Sequence, residues 1–203
     1  MDDLTQRLAS DLDGTFAELV CAHQDRLFSI ALRLAGDPRD AEEIAQDAFV
    51  RAYRALVDYE TQRIRELNLR AWLTKITVNL CRNRARVRRA VTVSIDGDAD
   101  APSDLAASLP AGAAASPAAQ AERRESRAHW AALVAELPDR YRAAVVLRHV
   151  DGMSYAQMVE ALGRPEGTLK AQVHRGLALL RTAHEALLRT ESPGGRPLQE
   201  VLR

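Results

Sequence analysis

Cysteine and lysine are scarce in this 203-residue chain, as are long apolar runs, and each scarcity closes off a class of protein. Two cysteines, Cys21 and Cys81, are too few and too far apart for a disulfide framework or a zinc site, even with His23 beside the first. Both are expected to be buried thiols in a reducing compartment. Lys75 and Lys170 are the only lysines among 28 basic residues, so phosphate contacts would fall almost wholly to arginine. With a mean hydropathy of −0.25 and no uninterrupted apolar run of membrane length, no spanning helix is expected. The opening MDDLTQRLASDLDG lacks an apolar core, so no secretory signal is expected and the cytoplasm is the expected compartment. The chain has no P-loop, no G-x-S-x-G, no H-E-x-x-H and no working pair of carboxylates; no catalytic, metal or cofactor site is expected. His129, His149 and His184 stand in helical segments without ligand partners at useful spacing.

Net charge is also absent, but only in the sum. Residues 1–60 hold 13 acidic and 6 basic side chains, a net of −7, and residues 61–90 hold 1 and 9, a net of +8. Residues 91–125 come to −4 and residues 126–203 to +3. Such blocks give one chain separate surfaces for partners of opposite charge.

Almost everything before residue 90 has helical period, which predicts an all-α fold. Phe16, Leu19, Val20, His23, Leu27, Ile30 and Leu34 form one stripe, closed by Gly36, Asp37 and Pro38; His23 reads as a core histidine. Asp40 is expected to cap the next helix, with Ala41, Ile44, Ala45, Ala48, Ala52 and Leu56 inward. A third helix runs from Trp72, a core anchor, into RNRARVRR. The pattern then dissolves into an Ala/Pro/Ser/Asp-rich linker and returns at Arg124, with Trp130, Leu133, Val134 and Leu137 as anchors, and Pro138 opens a further helix.

Three constellations could act. In SYAQMVEALGRPEGTLKAQVHR, Ser154 and Gln157 form a capping box, and Gly163 with Pro165 ends one helix and permits another. Leu169, Val173, Leu177 and Leu180 turn inward, leaving Thr168, Lys170, Ala171, Gln172, His174 and Arg175 for a major groove: a helix-turn-helix. In the basic helix, Lys75, Asn79, Arg82, Asn83 and Arg86 share a broad face, widened by Arg84, Arg88 and Arg89. Arginine forks suit phosphate and asparagine suits a base edge, in a groove or on an unpaired strand. In DAEEIAQDAFVRAYRAL, Asp40, Glu43 and Asp47 share an outer face with Gln46 and Arg51 nearby and Phe49 and Tyr53 to one side, a docking surface for a basic partner. For each, the plain alternative is a solvated helix face.

Taken in chain order, acidic helix, basic helix and helix-turn-helix, the three resemble the extracytoplasmic-function (ECF) group of bacterial RNA polymerase sigma factors. The resemblance covers most of residues 16–185 and implies a non-enzymatic initiation factor of two small helical domains. Their expected limits are an N-terminal extension (1–15), a core-binding and minus-10 domain (16–90), a flexible acidic linker (91–123), a minus-35 domain (124–188) and a tail (189–203). It implies that Asp40, Glu43, Gln46, Asp47, Phe49, Arg51 and Tyr53 dock on core polymerase. Asn79 then helps capture a flipped minus-10 base, and Lys75, Arg82, Asn83, Arg84, Arg86, Arg88 and Arg89 line that strand. Thr168, Lys170, Ala171, Gln172, His174 and Arg175 take the minus-35 duplex. An anti-sigma protein is a further partner that membership of the group brings with it, although no residue identifies it.

Two stretches depart from the group's pattern. Between Leu56 and Trp72 the loop is longer than usual and lacks its common glycine, and Ala171 and Gln172 stand where Ser and Arg are frequent. The linker must also stretch: a free coil of its length spans about 33 Å, whereas promoter elements some 17 base pairs apart are separated by about 58 Å. Asp96, Asp98, Asp100 and Asp104 are expected to follow a basic channel of the polymerase. The rival readings are a stand-alone regulator that binds duplex DNA and an adaptor that binds only protein.

Overall fold

A computed structural model describes residues 3–92 and 117–190; among these every element is helical. The four linker aspartates and the PLQEVLR tail lie outside the described residues.

Helix α1 (Asp3–Ser10) is followed at once by α2 (Leu12–Ala35). Asp11 makes that break possible, because its backbone is extended and its carboxylate accepts the N–H of Gly14 at 2.9 Å. At the far end Gly36 takes φ +79°, a left-handed cap that a side chain would strain, and donates to the carbonyl of Leu32. The stretch expected to be an extension is therefore part of the core: Leu8 is buried, and α1 packs on α2 and on α4.

Helix α3 (Pro38–Val57) is capped by Asp37, which accepts the N–H of Asp40 at 2.9 Å. This corrects the expectation that Asp40 is the cap. Proline has no N–H to satisfy and suits the first helical position, so the cap falls one residue before it and Asp40 is carried into the first turn, where it is buried. The short α4 (Thr61–Arg65), whose Ile64 is buried in the same core, leads to α5 (Leu69–Thr92). Leu19, Leu27, Ile44, Ala48, Leu56 and Leu73 form the core of this first unit.

The second unit begins at Pro117, the first residue of α6 (Pro117–Glu136), so residues 117–123 are helical where a linker was expected. Their Ala-rich composition, which resembles a tether, is equally that of a strong helix former behind a helix-starting proline. Trp130, an expected anchor, is 42% exposed and lies against the His184 ring at 4.9 Å instead of entering the core. Helix α7 (Asp139–Val145) continues as one π-helical turn (Val146–Val150) before α8 (Tyr155–Leu162) and α9 (Glu166–Thr190). Leu133, Leu137, Val145, Leu180 and Ala183 bind α6 to α7 and α9.

Helices α7 and α9 approach closely at Gly176, where a Cβ would lie 2.5 Å from Val145 Cγ2 and 3.4 Å from Tyr141 Cβ. Valine there gains a little helix propensity, a few tenths of a kcal/mol, against an overpacking cost of about 1–3 kcal/mol. Gly176→Val is expected to lower the urea midpoint of the chain, a shift that a denaturation curve reads directly.

The two units are not separate bodies on a string. A third apolar cluster draws Ile30 from α2 and Ala71 and Val78 from α5 together with Leu147, Met153, Met158, Leu162, Leu169 and Val173.

Candidate nucleic-acid and protein interfaces

Helix α5 divides its circumference in three. Leu73, Leu80 and Cys81 face the first core, and Ala71 and Val78 face the second unit. What remains carries Lys75, Asn79, Arg82, Asn83 and Arg86, all exposed and spaced at three or four residues along the helix. Arg82 stands where the units meet: burial, and then the nearby Arg164 cation, lower its pKa. Arg86 donates to the Asn83 amide oxygen at 3.4 Å. Arg84 and Arg88 belong to a different environment, because α5 lies against α3 and the carboxylates there claim them. Arg84 pairs with Asp40 at 3.0 Å and also with Glu43, whose hydrogen bond raises the arginine's pKa, and Arg88 reaches Asp40 at 2.5 Å. The side chain of Arg89 lies outside the described residues.

The same contact redraws the α3 face. Asp40, 8% exposed, turns inward to these arginines, and Phe49, also 8% exposed, is in the core. Tyr53 is tied to α2: its hydroxyl donates to Asp13 at 2.6 Å and its ring meets Phe16 edge-on at 5.0 Å. Glu43, Gln46, Asp47 and Arg51 do face outward. On the same side of α3 stand two apolar residues absent from the expected set, Val50 at 49% and Val57 at 59% exposure. Their signal is in the sequence: they recur at i and i+7, opposite the Ile44–Ala48–Ala52 stripe, as a heptad seam does. Beside them, Glu43, Ile44, Asp47, Leu80, Asn83, Arg84 and Val87 line an open groove between α3 and α5.

In the helix-turn-helix the capping box is closed in both directions, Gln157 N–H to Ser154 Oγ at 3.2 Å and Ser154 N–H to Gln157 Oε1 at 2.9 Å. Gly163 ends α8 at φ +64°. Leu169 and Val173 anchor α9, while Thr168, Lys170, Ala171, His174 and Arg175 are exposed and Gln172 is half-exposed. Arg164 donates to Gln172 Oε1 at 2.9 Å, which engages the amide's acceptor and leaves its NH2 to donate. Lys170 pairs with Glu166 at 2.7 Å, an exposed bond that a phosphate can replace at small cost. Tyr155 lies under both cations, Arg148 at 4.8 Å and Lys170 at 5.5 Å from its ring centre.

The long Leu56–Trp72 stretch is filled by α4 and by a stack in which Arg63 covers Tyr59 at 3.6 Å and Tyr59 leans on Trp72 at 6.0 Å. Trp72 is thus half-buried as a packing residue. His129 and His184, far apart in sequence, meet at 3.0 Å between α6 and α9, a pairing that no local spacing announces. No cluster of three or more metal-ligating side chains occurs among the described residues, nor is any helix there long and apolar enough to cross a membrane.

The cysteines differ from each other. Cys81 is buried and its thiol is pushed up to about 12 by burial, whereas Cys21 is exposed, against expectation, because it lies just off the α2 stripe. An alkylating reagent near neutral pH is expected to label Cys21 alone in the native chain and both thiols after denaturation, which mass spectrometry counts.

Comparison with known proteins gives two family matches, Sigma-70 region 2 over residues 19–91 and Sigma-70, region 4 over residues 130–180. The chain is 33% identical over 170 residues to the ECF RNA polymerase sigma factor SigE of Mycolicibacterium smegmatis, covering 81% of this chain and 59% of that longer protein. It is 31% identical over 166 residues to the RNA polymerase sigma-E factor of Streptomyces coelicolor (82% and 84% covered). With SigW of Bacillus subtilis, another ECF sigma factor, it shares 29% over 181 residues (82% and 87%). Among solved structures, CnrH in complex with the cytosolic domain of CnrY superposes with a TM-score of 0.62 at 25% identity over 93% of this chain and 97% of that one. The sigma factor RpoE of Bartonella quintana, solved with the anti-sigma factor NepR, gives 0.64 at 23% identity, covering 82% and 94%.

Proposed function

Since the chain belongs to the ECF group of the sigma-70 family, whose members direct RNA polymerase to promoters, we propose how its own surfaces divide that work. Lys75, Asn79, Arg82, Asn83 and Arg86 receive the melted minus-10 strand. The observation that carries this is the sorting of α5: its asparagines and Lys75 are exposed, while Arg84 and Arg88 serve as struts to α3. Flipping a base out of the stack costs a few kcal/mol, so a face that holds the flipped base couples recognition to opening. Arg84, Arg88 and Arg89 contribute to this strand's electrostatic field more than to base contact.

Thr168, Lys170, Ala171, Gln172, His174 and Arg175 take the minus-35 duplex. Ala171 has no donor and Gln172 offers chiefly its NH2, a set suited to acceptor atoms on base edges. Glu43, Gln46, Asp47 and Arg51, with Val50 and Val57 on the same side of α3, dock on core polymerase; Asp40, Phe49 and Tyr53 support that face from within. An anti-sigma protein is included as an inhibitory partner, and the test for it is a protein recovered with the full chain from its host that blocks transcription in a purified system.

Purified core polymerase decides the main reading. Promoter-specific transcripts are expected only when this chain is added; duplex binding without core, and no transcript with it, would instead mark a stand-alone regulator.

A further inference from the structure

Helices α6 and α9 continue beyond their shared apolar contacts into a pair of imidazoles. Leu133 of α6 and Leu180 of α9 belong to the cluster that joins the two helices. His129 and His184 each stand one helical turn beyond, four residues from those leucines and on the same side of each helix. His129 Nε2 and His184 Nδ1 meet at 3.0 Å, with the ring centres 5.1 Å apart and the planes inclined at 69°. Trp130 leans on both rings, 4.9 Å from His184 and 5.8 Å from His129, and both histidines are half-buried.

Apolar side chains at both positions would continue the seam with no polar group to satisfy. The two nitrogens are instead spaced as ligands are. A metal ion bound to imidazole at about 2.0–2.1 Å holds two such nitrogens about 2.9 Å apart at a right angle and about 3.3 Å apart at the tetrahedral angle. The 3.0 Å separation falls within that span, so turning each ring about its χ2 bond brings both lone pairs to one point with the helices left in place. The ring that donates the hydrogen bond frees its lone pair by moving the proton to its other nitrogen, a change of tautomer.

We propose that His129 and His184 form a binding site for a divalent transition-metal ion of the imidazole-preferring class, Ni2+, Cu2+ or Zn2+, with water completing its coordination. The ion replaces the hydrogen bond and clamps α6 to α9. Oxygen-preferring Mg2+ finds no ligand of its kind in the pair. Because the ligands are 55 residues apart, folding assembles the site and the ion stabilises the folded chain. Spacing within one helix gives no sign of it, since each helix supplies a single ligand. His184 lies nine residues beyond Arg175 on α9, so the ion leaves the outward face of the helix-turn-helix free.

The test uses the full chain carrying Trp72→Phe, which leaves Trp130 as its one tryptophan, and Cys21→Ser, which removes the exposed thiol as a competing ligand. Ni2+ is expected to quench Trp130 emission to saturation at one ion per chain, and Mg2+ to leave it unchanged. His129→Gln and His184→Gln, on separate helices, are each expected to weaken Ni2+ binding by about a hundredfold, with circular dichroism establishing that the metal-free variants are folded. Zn2+ should raise the melting temperature of the parent and of neither variant. Without any substitution at the site, NMR reads the same ligands: Zn2+ is expected to shift the ring signals of His129 and His184 and of no other histidine. Emission and melting temperature unmoved by either ion overturn the proposal, as do quenching that survives in a folded variant or ring shifts confined to other histidines. Transcription enters none of these readouts, so the site is decided separately from the sigma-factor reading.

Discussion

A chain carrying Val50→Asp and Val57→Asp is expected to lose core-polymerase affinity by a hundred- to a thousandfold while melting within about half a kcal/mol of the wild type. Each valine is about half exposed on α3, so its burial against a partner recovers only part of the 1.5–3 kcal/mol of a fully buried valine, about 1 kcal/mol apiece. The carboxylates add a comparable part, about 1–3 kcal/mol between them, because they must be desolvated at the contact without a partner. Together these come to roughly 3–5 kcal/mol, and 1.4 kcal/mol is a factor of ten. Stability stays because the substituted atoms touch solvent and not the core. Phe49→Asp is the contrasting case: Phe49 is buried, so that variant is expected to unfold. A titration of labelled chain against purified core reads the first outcome, and unchanged affinity in the double variant would remove the valines from the docking face.

Asn79→Ala is expected to reduce promoter opening by about ten- to a hundredfold with little change in affinity for core or for a minus-35 duplex. Asn79 is exposed in the middle of the α5 face, so its amide is available to a base edge and its loss leaves the fold intact. A well-made contact of that kind discriminates by about 1–3 kcal/mol. Lys75→Ala separates charge from reading: it should weaken binding to every sequence similarly and reduce the salt dependence by about one counterion, without relaxing base preference. Permanganate footprinting of the melted region across salt concentrations distinguishes the two. An Asn79→Ala chain that opens the promoter as the wild type does would assign strand capture to other residues.

The helices were legible because their evidence is local. Ser154 and Gln157 are three residues apart and Gly163 follows at the helix end, so cap, turn and recognition helix could be read from the sequence alone. Period failed where it names a face but not its neighbour. Asp40 has the spacing of an outer residue, yet α5 packs on α3 and supplies Arg84 and Arg88 to bury it. Phe49 reads as docking area because it is aromatic and near the acidic row, whereas the exposed apolar residues proved to be Val50 and Val57. Cys21 and Trp130 err in the opposite direction, since an apolar residue beside a stripe is drawn inward only if a partner helix is there to receive it.

By itself, then, the amino-acid order determined an all-α chain with a basic helix, an acidic helix and a helix-turn-helix in the sequence of an initiation factor, because caps, glycine turns and 3.6-residue period act within a few residues. Tertiary structure alone decided which arginines are struts and which face outward, and that α2 and α5 close onto the second unit. Asp151 pairs with Arg26 from 125 residues away. No periodicity reaches that far, and only the burial of Ile30 and Met153 in one cluster brings the two charges close enough to pair.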